Sequence, residues 1–247
     1  MSANSTISHE IASLLRDEIL RGQYRRGERL PSERDLAARF NASRGAVREA
    51  LSQLEQLGLI RILPGGARVQ AIDAASIAIL GPLMAVNDVP DPLLVDQFLQ
   101  TFGALAALTA RSAINKASNE EMRNLQGMVE RLGKLAGDFG AMQTQWRELL
   151  EYLATVADNL VVRLIGNDLK AQFVEQMMNL GINPVMKPAT IKQLVNSLKL
   201  ALASKDAELA ATTIQMHFDE LRIAVSEAIS LKQASYQKQA VSGLAGQ

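Results

Sequence analysis

The stretch "NASRGAVREALSQLEQLGLI", Asn41 to Ile60, decides the fold of the N-terminal part of the chain. Val47, Ala50, Leu51 and Leu54 recur at helical spacing, which predicts a helix from Arg44 to about Leu57 with one buried stripe. Ser43 is placed to cap its first turn and Gly58 to end it. The other face opens with Arg44 and Arg48, four residues apart. Like charges at that spacing repel modestly, and positive charge near a helix N-terminus opposes the macrodipole. A polyanion bound at that end would offset both penalties; a solvated face with no binding role is the alternative.

The flanks extend the pattern. Upstream, Ile11, Leu14, Leu15, Ile19 and Leu20 predict a first helix from about Ser8 to Arg21, closed by Gly22. "YRRGERLPS" breaks the periodicity, and Ser32 with Asp35 has the spacing of a capping box for a second helix that buries Leu36, Ala37 and Phe40. Only "NAS" separates that helix from the next. Downstream, "LIRIL", a turn at Pro64-Gly65-Gly66 and "ARVQ" predict a short β-hairpin. Helix, helix, tight turn, helix and hairpin is the order of a winged helix-turn-helix.

Charge is distributed to match. The 247-residue chain is neutral overall, yet Met1 to Gln70 carries eleven arginines and no lysine against eight acidic residues. Arginine's rigid donor fork suits phosphates and guanine edges, whereas lysine acts as a mobile charge. In a helix-turn-helix the second helix of the unit enters the major groove N-terminus first. That puts Arg44, Gly45 and Arg48 where bases and phosphates are met, with Gly45 allowing close backbone approach. Ser43 would bond a phosphate, Arg34 would brace one or reach a guanine, and Gly65, Gly66 and Arg68 form a wing tip small enough for a minor groove.

After Ala71 the sequence is helical throughout, with spans predicted at 74–85, 91–115, 119–138, 141–155, 159–180, 187–203 and 206–231. Periodicity fades in "SYQKQAVSGLAGQ", so 235–247 is expected to be a flexible tail. The expected domains are therefore 1–71, the winged helix-turn-helix, and 72–234, an all-α bundle. The fold class is mainly α. No cysteine is present, which removes thiolate metal sites, disulfides and cysteine nucleophiles. Two histidines build no Ser-His-Asp set, and no Gly-rich phosphate loop occurs, so no enzyme is expected. No run of eighteen apolar residues and no basic-then-apolar start is present; a cytoplasmic protein without membrane attachment is expected.

The residues "RGERLPSERDLAARFNASRGAVREALSQLEQLGLI" followed by "GGARV" strongly resemble the GntR family of bacterial transcription regulators over about Ile11 to Val69. The resemblance implies that Arg34, Arg44, Gly45, Arg48 and the wing glycines contact an operator, and that the protein binds a short palindrome as a homodimer. The all-helical remainder resembles the FadR branch, which implies an effector-binding and dimerisation bundle of six or seven helices. Most of that branch holds a divalent metal with one aspartate and three histidines, often beside a small organic acid.

Here the pattern departs. Gln143 falls at the aspartate, Arg147 at the first histidine and Val195 near the second, leaving His217 in "IQMHFDEL" as the single match. One imidazole without a carboxylate does not make such a set, so no metal and no cofactor is expected. Phe102 and Ala106 stand where the branch often has an arginine and a glutamate. An apolar pocket suits a hydrophobic effector or none.

The member after which the branch is called lacks the metal and binds long-chain acyl-CoA. This chain is similar to it in the Trp146-Arg147 pair and around Asn159. Arg147 or Arg163 would meet an anionic headgroup in that case, or serve as surface charges; Phe173, Met177 and Met178 read as core. The expectation is a transcription repressor or activator under control of a small molecule, an acyl-CoA or another largely apolar metabolite, contacted by Phe102, Gln143, Arg147 and His217. The alternatives are a metal-independent regulator of small organic acid metabolism and a ligand-free dimeric DNA-binding protein.

Overall fold

Burial of apolar helix faces shapes both halves of the computed structural model, which describes the backbone of residues 3–135, 139–179, 181–182 and 184–244 and side chains within 6–135, 141–170, 181–182 and 184–236. The chain divides into two compact units, Met1–Asp88 and Val89–Gln247.

In the first unit, α1 (Ala3–Leu20), α2 (Glu33–Arg39) and α3 (Arg44–Gln56) precede a hairpin of β1 (Ile60–Leu63) and β2 (Gly66–Val69). Ser32 caps α2 by accepting from the Asp35 amide, and its hydroxyl donates to the Asp35 carboxylate at 2.6 Å. The turn into α3 is made by Asn41 at φ 48°, a left-handed conformation that asparagine tolerates. The Ala42 amide then returns to the Ala37 carbonyl, closing a Schellman-type end. Ser43 caps α3 through a bond from the Ala46 amide at 3.1 Å. Leu15, Leu36, Val47, Ala50, Leu54, Ile60 and Val69 form one core.

The hairpin gains a partner that the sequence pattern did not indicate. Residues 27–30 run antiparallel to β2: the Leu30 amide donates to Ala67 and the Val69 amide to Glu28. Arg29 lies directly opposite Arg68 in that pairing.

The unit continues past the expected boundary at 71. Where one helix was predicted over 74–85, two 3-10 turns, Ile72–Ala74 and Ile77–Ile79, precede a short α4 (Leu80–Ala85). Ser76 interrupts the segment by capping the Ala78 amide, and Ile79 is buried in the first unit's core. That burial keeps residues 72–88 with the first unit.

The second unit is all helical: α5 (Pro92–Lys116), α6 (Asn119–Lys134), α7 (Phe139–Ala157), α8 (Leu160–Asn179), α9 (Pro188–Ser204) and α10 (Ala207–Leu244). Helix α5 is the hub; α7, α8 and α10 pack on it, while α9 joins α6 to α10. Asp91 caps α5 ahead of Pro92, and Ser118 with Glu121 makes a full capping box on α6. Helices α5 and α10 run antiparallel, clamped by Arg222–Asp96 at 2.8 Å toward one end and Arg111–Glu208 toward the other. By length and hydropathy α5 is able to span a membrane, but Val95, Phe98, Leu99, Ala106, Ala110 and Ile114 are buried in this unit. The backbone of 235–244 continues α10 as helix rather than starting a tail there. Phe173, Met177 and Met178 lie outside the residues with described side chains.

Close approach of α5 to α10 depends on Gly103. A Cβ there would sit 2.7 Å from Phe218 Cβ and 3.1 Å from its Cγ. Overpacking of a filled core costs about 1–3 kcal/mol. Gly103→Val is expected to lower the urea midpoint of the second unit by about that stability, read by fluorescence of Trp146, the sole tryptophan.

Candidate nucleic-acid interface

Orientation of α3 follows from its buried stripe. Ala46, Val47, Ala50, Leu51 and Leu54 face the core, which turns Arg44, Gly45 and Arg48 outward. No acidic residue lies in the first turn of α3, so its free amides and partial positive charge face solvent. The Ser43 oxygen accepts its capping bond, which leaves the hydroxyl proton for an external acceptor.

The arginines differ in their partners. Among the described residues Arg44 forms no ion pair. Arg48 Nε donates to Glu33 Oε2 at 2.8 Å, with both side chains substantially exposed. An exposed pair of this kind contributes about 0.2–1 kcal/mol, so a phosphate can replace the carboxylate at small cost. Arg34, on α2, reaches only its neighbour Asp35 at 3.7 Å among the described residues and is 79% exposed. Arg39 is committed to Glu18 within the unit.

Gly45 has nothing but Ser43 Oγ, at 3.7 Å, near the position of a Cβ. Nothing within the unit requires a glycine there.

At the wing, Gly65 and Gly66 take φ of 103° and 121°, which side-chain-bearing residues rarely adopt. Arg68 is exposed and its Nη1 donates to the Gly27 carbonyl at 2.9 Å. Glu55, on α3, accepts the Ile62 amide at 2.6 Å and ties the hairpin to the helix. The structure thus gathers Arg34, Ser43, Arg44, Gly45 and Arg48 around the α2–α3 turn, with Gly65, Gly66 and Arg68 on the hairpin of the same unit. Sequence reasoning overlooked Glu33, the partner of Arg48. Its signal was the acidic residue directly after the Ser32 cap.

The residues proposed for an effector separate into two groups. His217 is 5% exposed, with Trp146 at 4.3 Å and Phe218 at 5.8 Å between ring centroids; Phe102 stacks edge-on against Phe218 at 5.4 Å. Gln143 and Arg147 are exposed on α7. Arg163 donates to the Ala154 carbonyl at 3.2 Å. Val195 lines a cleft of about 400 Å³ between α6 and α9 with Lys134, Lys192 and Lys199, a cleft that includes neither Gln143, Arg147 nor His217. The positions corresponding to metal ligands in the resembled branch therefore supply a glutamine, an arginine, a valine and one imidazole, a set that does not fit a divalent metal. Among the described residues, no group of three His, Cys, Asp or Glu is placed to hold one.

With this geometry in place, the first unit is a winged helix-turn-helix. Residues 7–69 match the family described as "Bacterial regulatory proteins, gntR family". The chain is 33% identical over 130 residues to "HTH-type transcriptional repressor NanR" of Escherichia coli, covering 52% of this chain and 49% of that protein. The NanR repressor of Cronobacter sakazakii is 35% identical over 124 residues, covering 50% and 48%. The chain thus spans about half the length of the curated relatives it matches, which are described as HTH-type transcriptional repressors. Among solved structures, one described as "Lar controls the expression of the Listeria monocytogenes agr system and mediates virulence" aligns with a TM-score of 0.53 at 19% identity. It covers 92% of this chain and 98% of that one, a likeness of fold.

Burial holds His217 neutral by pushing its pKa down to about 4, and among the described residues its buried Nδ1 has no hydrogen-bond partner. In the unfolded chain the imidazole titrates near 6.5. The unfolded state therefore binds more protons at intermediate pH. The stabilisation is complete above pH 6.5, falls as pH drops below it, and is exhausted near pH 4. The full loss is about 3 kcal/mol. Urea titrations at several pH values are expected to show this dependence in the natural chain and a flatter one in His217→Leu.

Proposed function

We propose that this protein is a sequence-specific DNA-binding transcription regulator, a repressor by analogy with the NanR relatives, which acts in the cytoplasm on double-stranded DNA. The observation that carries this reading is the outward end of α3: Arg44, Gly45 and Arg48 stand exposed over a fully buried stripe, in a segment that matches the gntR family. Arg44 and Arg48 contact base edges and phosphates, Ser43 and Arg34 hold the backbone, and the wing of Gly65, Gly66 and Arg68 meets the adjoining minor groove. Two copies bind a palindrome, each supplying one α3 to a half-site.

The second unit dimerises and takes a small, largely apolar effector such as an acyl-CoA. What supports an apolar ligand is the cluster of Phe102, Trp146, His217 and Phe218. Gln143 and Arg147 would meet the polar end of that ligand where it emerges at the surface. Such an effector shifts DNA occupancy only by binding two arrangements of the dimer with different affinity.

Duplexes enriched by the natural chain from a random-sequence pool provide the test, with affinity followed by fluorescence anisotropy as salt is raised. Each phosphate contact contributes about −0.9 to the slope of log affinity against log salt. Arg44→Ala is expected to abolish enrichment of a common sequence. Gly45→Leu is expected to weaken binding to the enriched duplex at least about tenfold, the scale of one lost contact. Its thermal midpoint is expected to stay level or rise, because leucine is a better helix former than glycine, which lies about 0.8–1.0 kcal/mol below alanine. Binding by Gly45→Leu equal to that of the natural chain would remove α3 from the interface.

A further inference from the structure

Three exposed arginines cross the outer face of the wing in one row. Arg61 stands opposite Arg68 in the β1–β2 register, and Arg68 stands opposite Arg29 on its other side. The Arg29–Arg68 pair lies between the bonds from Leu30 to Ala67 and from Val69 to Glu28, so it is a non-hydrogen-bonded pair. Side chains approach closest at such pairs, and like charges directly opposite are destabilising. Among the described residues none of the three forms an ion pair. The hairpin alone gains nothing from this row.

Gly66 carries the row toward the tip. It lies diagonally across from Arg29 on the same face, and a Cβ there would stand 2.6 Å from Arg29 Nε and 3.1 Å from Nη2. The guanidinium of Arg29 therefore occupies the space that the missing side chain leaves. Gly66 has two roles: with a φ of 121° it leads out of the Pro64-Gly65 turn into β2, and it seats an arginine at the end of the wing.

We propose that Arg29, seated over Gly66 and backed by Arg68 and Arg61, is the side chain by which the wing enters the minor groove of duplex DNA. The duplex is A·T-rich where the wing meets it, outside the pairs that α3 reads. The minor groove is about 6 Å wide and admits neither a helix nor a broad loop, but it admits a glycine tip with one extended arginine. A·T tracts narrow the groove and deepen its negative potential, which attracts an inserted arginine. A guanidinium is also more weakly hydrated than an ammonium, so it enters such a groove at lower desolvation cost. This inference rests on the DNA-binding reading of α3.

The test uses the full chain and the duplex it enriches from a random-sequence pool, together with versions of that duplex carrying G·C in place of A·T at the flanks. The natural chain is expected to lose affinity about fivefold or more for each flanking exchange. Arg29→Gln is expected to enrich the same central sequence, lose the flank preference, and reduce the salt slope by about 0.9. Gly66→Ala is expected to reproduce that phenotype by displacing Arg29. The Arg29→Gln/Gly66→Ala double variant is then expected to show no further loss, as residues acting through one contact do not add. Retention of the flank preference by Arg29→Gln, or losses that multiply in the double variant, would overturn the inference while leaving α3 in place. If the natural chain and Arg44→Ala give the same enrichment, the α3 reading fails and this one falls with it. Thermal midpoints of the variants verify folding.

Discussion

Burial of one stripe on α3 is the constraint on which the first unit depends. Ala46, Val47, Ala50, Leu51 and Leu54 must face Leu15, Leu36 and Ile60, and this fixes the rotation of α3 about its own axis. The outward direction of Arg44, Gly45 and Arg48 is a consequence and needs no contact of their own. The same burial anchors the hairpin, since Ile60 and Val69 complete the core and the Glu55–Ile62 bond leads directly from α3 into β1. A buried helix of this kind is a rigid mount. Side chains on its exposed face gain positional accuracy from apolar packing on the other.

The second unit uses close packing differently. Helices α5 and α10 approach until Gly103 meets Phe218, and the adjacent His217 is enclosed with Trp146. In a polar, carboxylate-lined cavity that imidazole would be a strong ligand. Here desolvation prevails, the ring is held neutral, and its buried Nδ1 has no hydrogen-bond partner among the described residues. An aromatic enclosure of this kind gives a hydrated cation no replacement for its water shell, in keeping with the largely apolar effector proposed above.

Features encoded within a few residues were legible in the sequence. The Ser32 and Ser43 caps, the turn at Asn41 and the Pro64-Gly65-Gly66 hairpin depend on local geometry and fell where the pattern put them. Non-local features were not legible. Residues 27–30 form a strand-like edge through a single bridge, too short for any alternation to register. The segment after Ala71 has helical composition, yet the Ser76 cap divides it, and burial of Ile79 rather than propensity assigns it to the first unit. Periodicity found α5 and α10 but not their antiparallel pairing, which rests on contacts more than a hundred residues apart, such as Asp96 with Arg222. For the candidate interface, the α3 residues were legible because their charge offends helix rules. Arg29 was not, because its position matters only once its strand partner is known.

The two units treat isolated charge in opposite ways, and that contrast bears on function. In the second unit α5 and α10 pair their charges across the helix interface, Arg222 with Asp96 and Arg111 with Glu208, and the buried imidazole is neutral. For these groups the electrostatic costs are settled inside the chain. In the first unit Arg44 stands without an ion pair among the described residues, Arg48 has only an exposed carboxylate, and Arg29, Arg61 and Arg68 line up against one another. Neither helix nor hairpin is stabilised by those placements, since each opposes a local rule. Under the proposed function, charges that destabilise the fold, share one sign and sit on α3 and across the wing of one unit find their compensation in a partner of opposite charge. Because every one of them is arginine, the partner is one that rewards a planar donor fork, and duplex DNA offers that in both grooves and along its backbone.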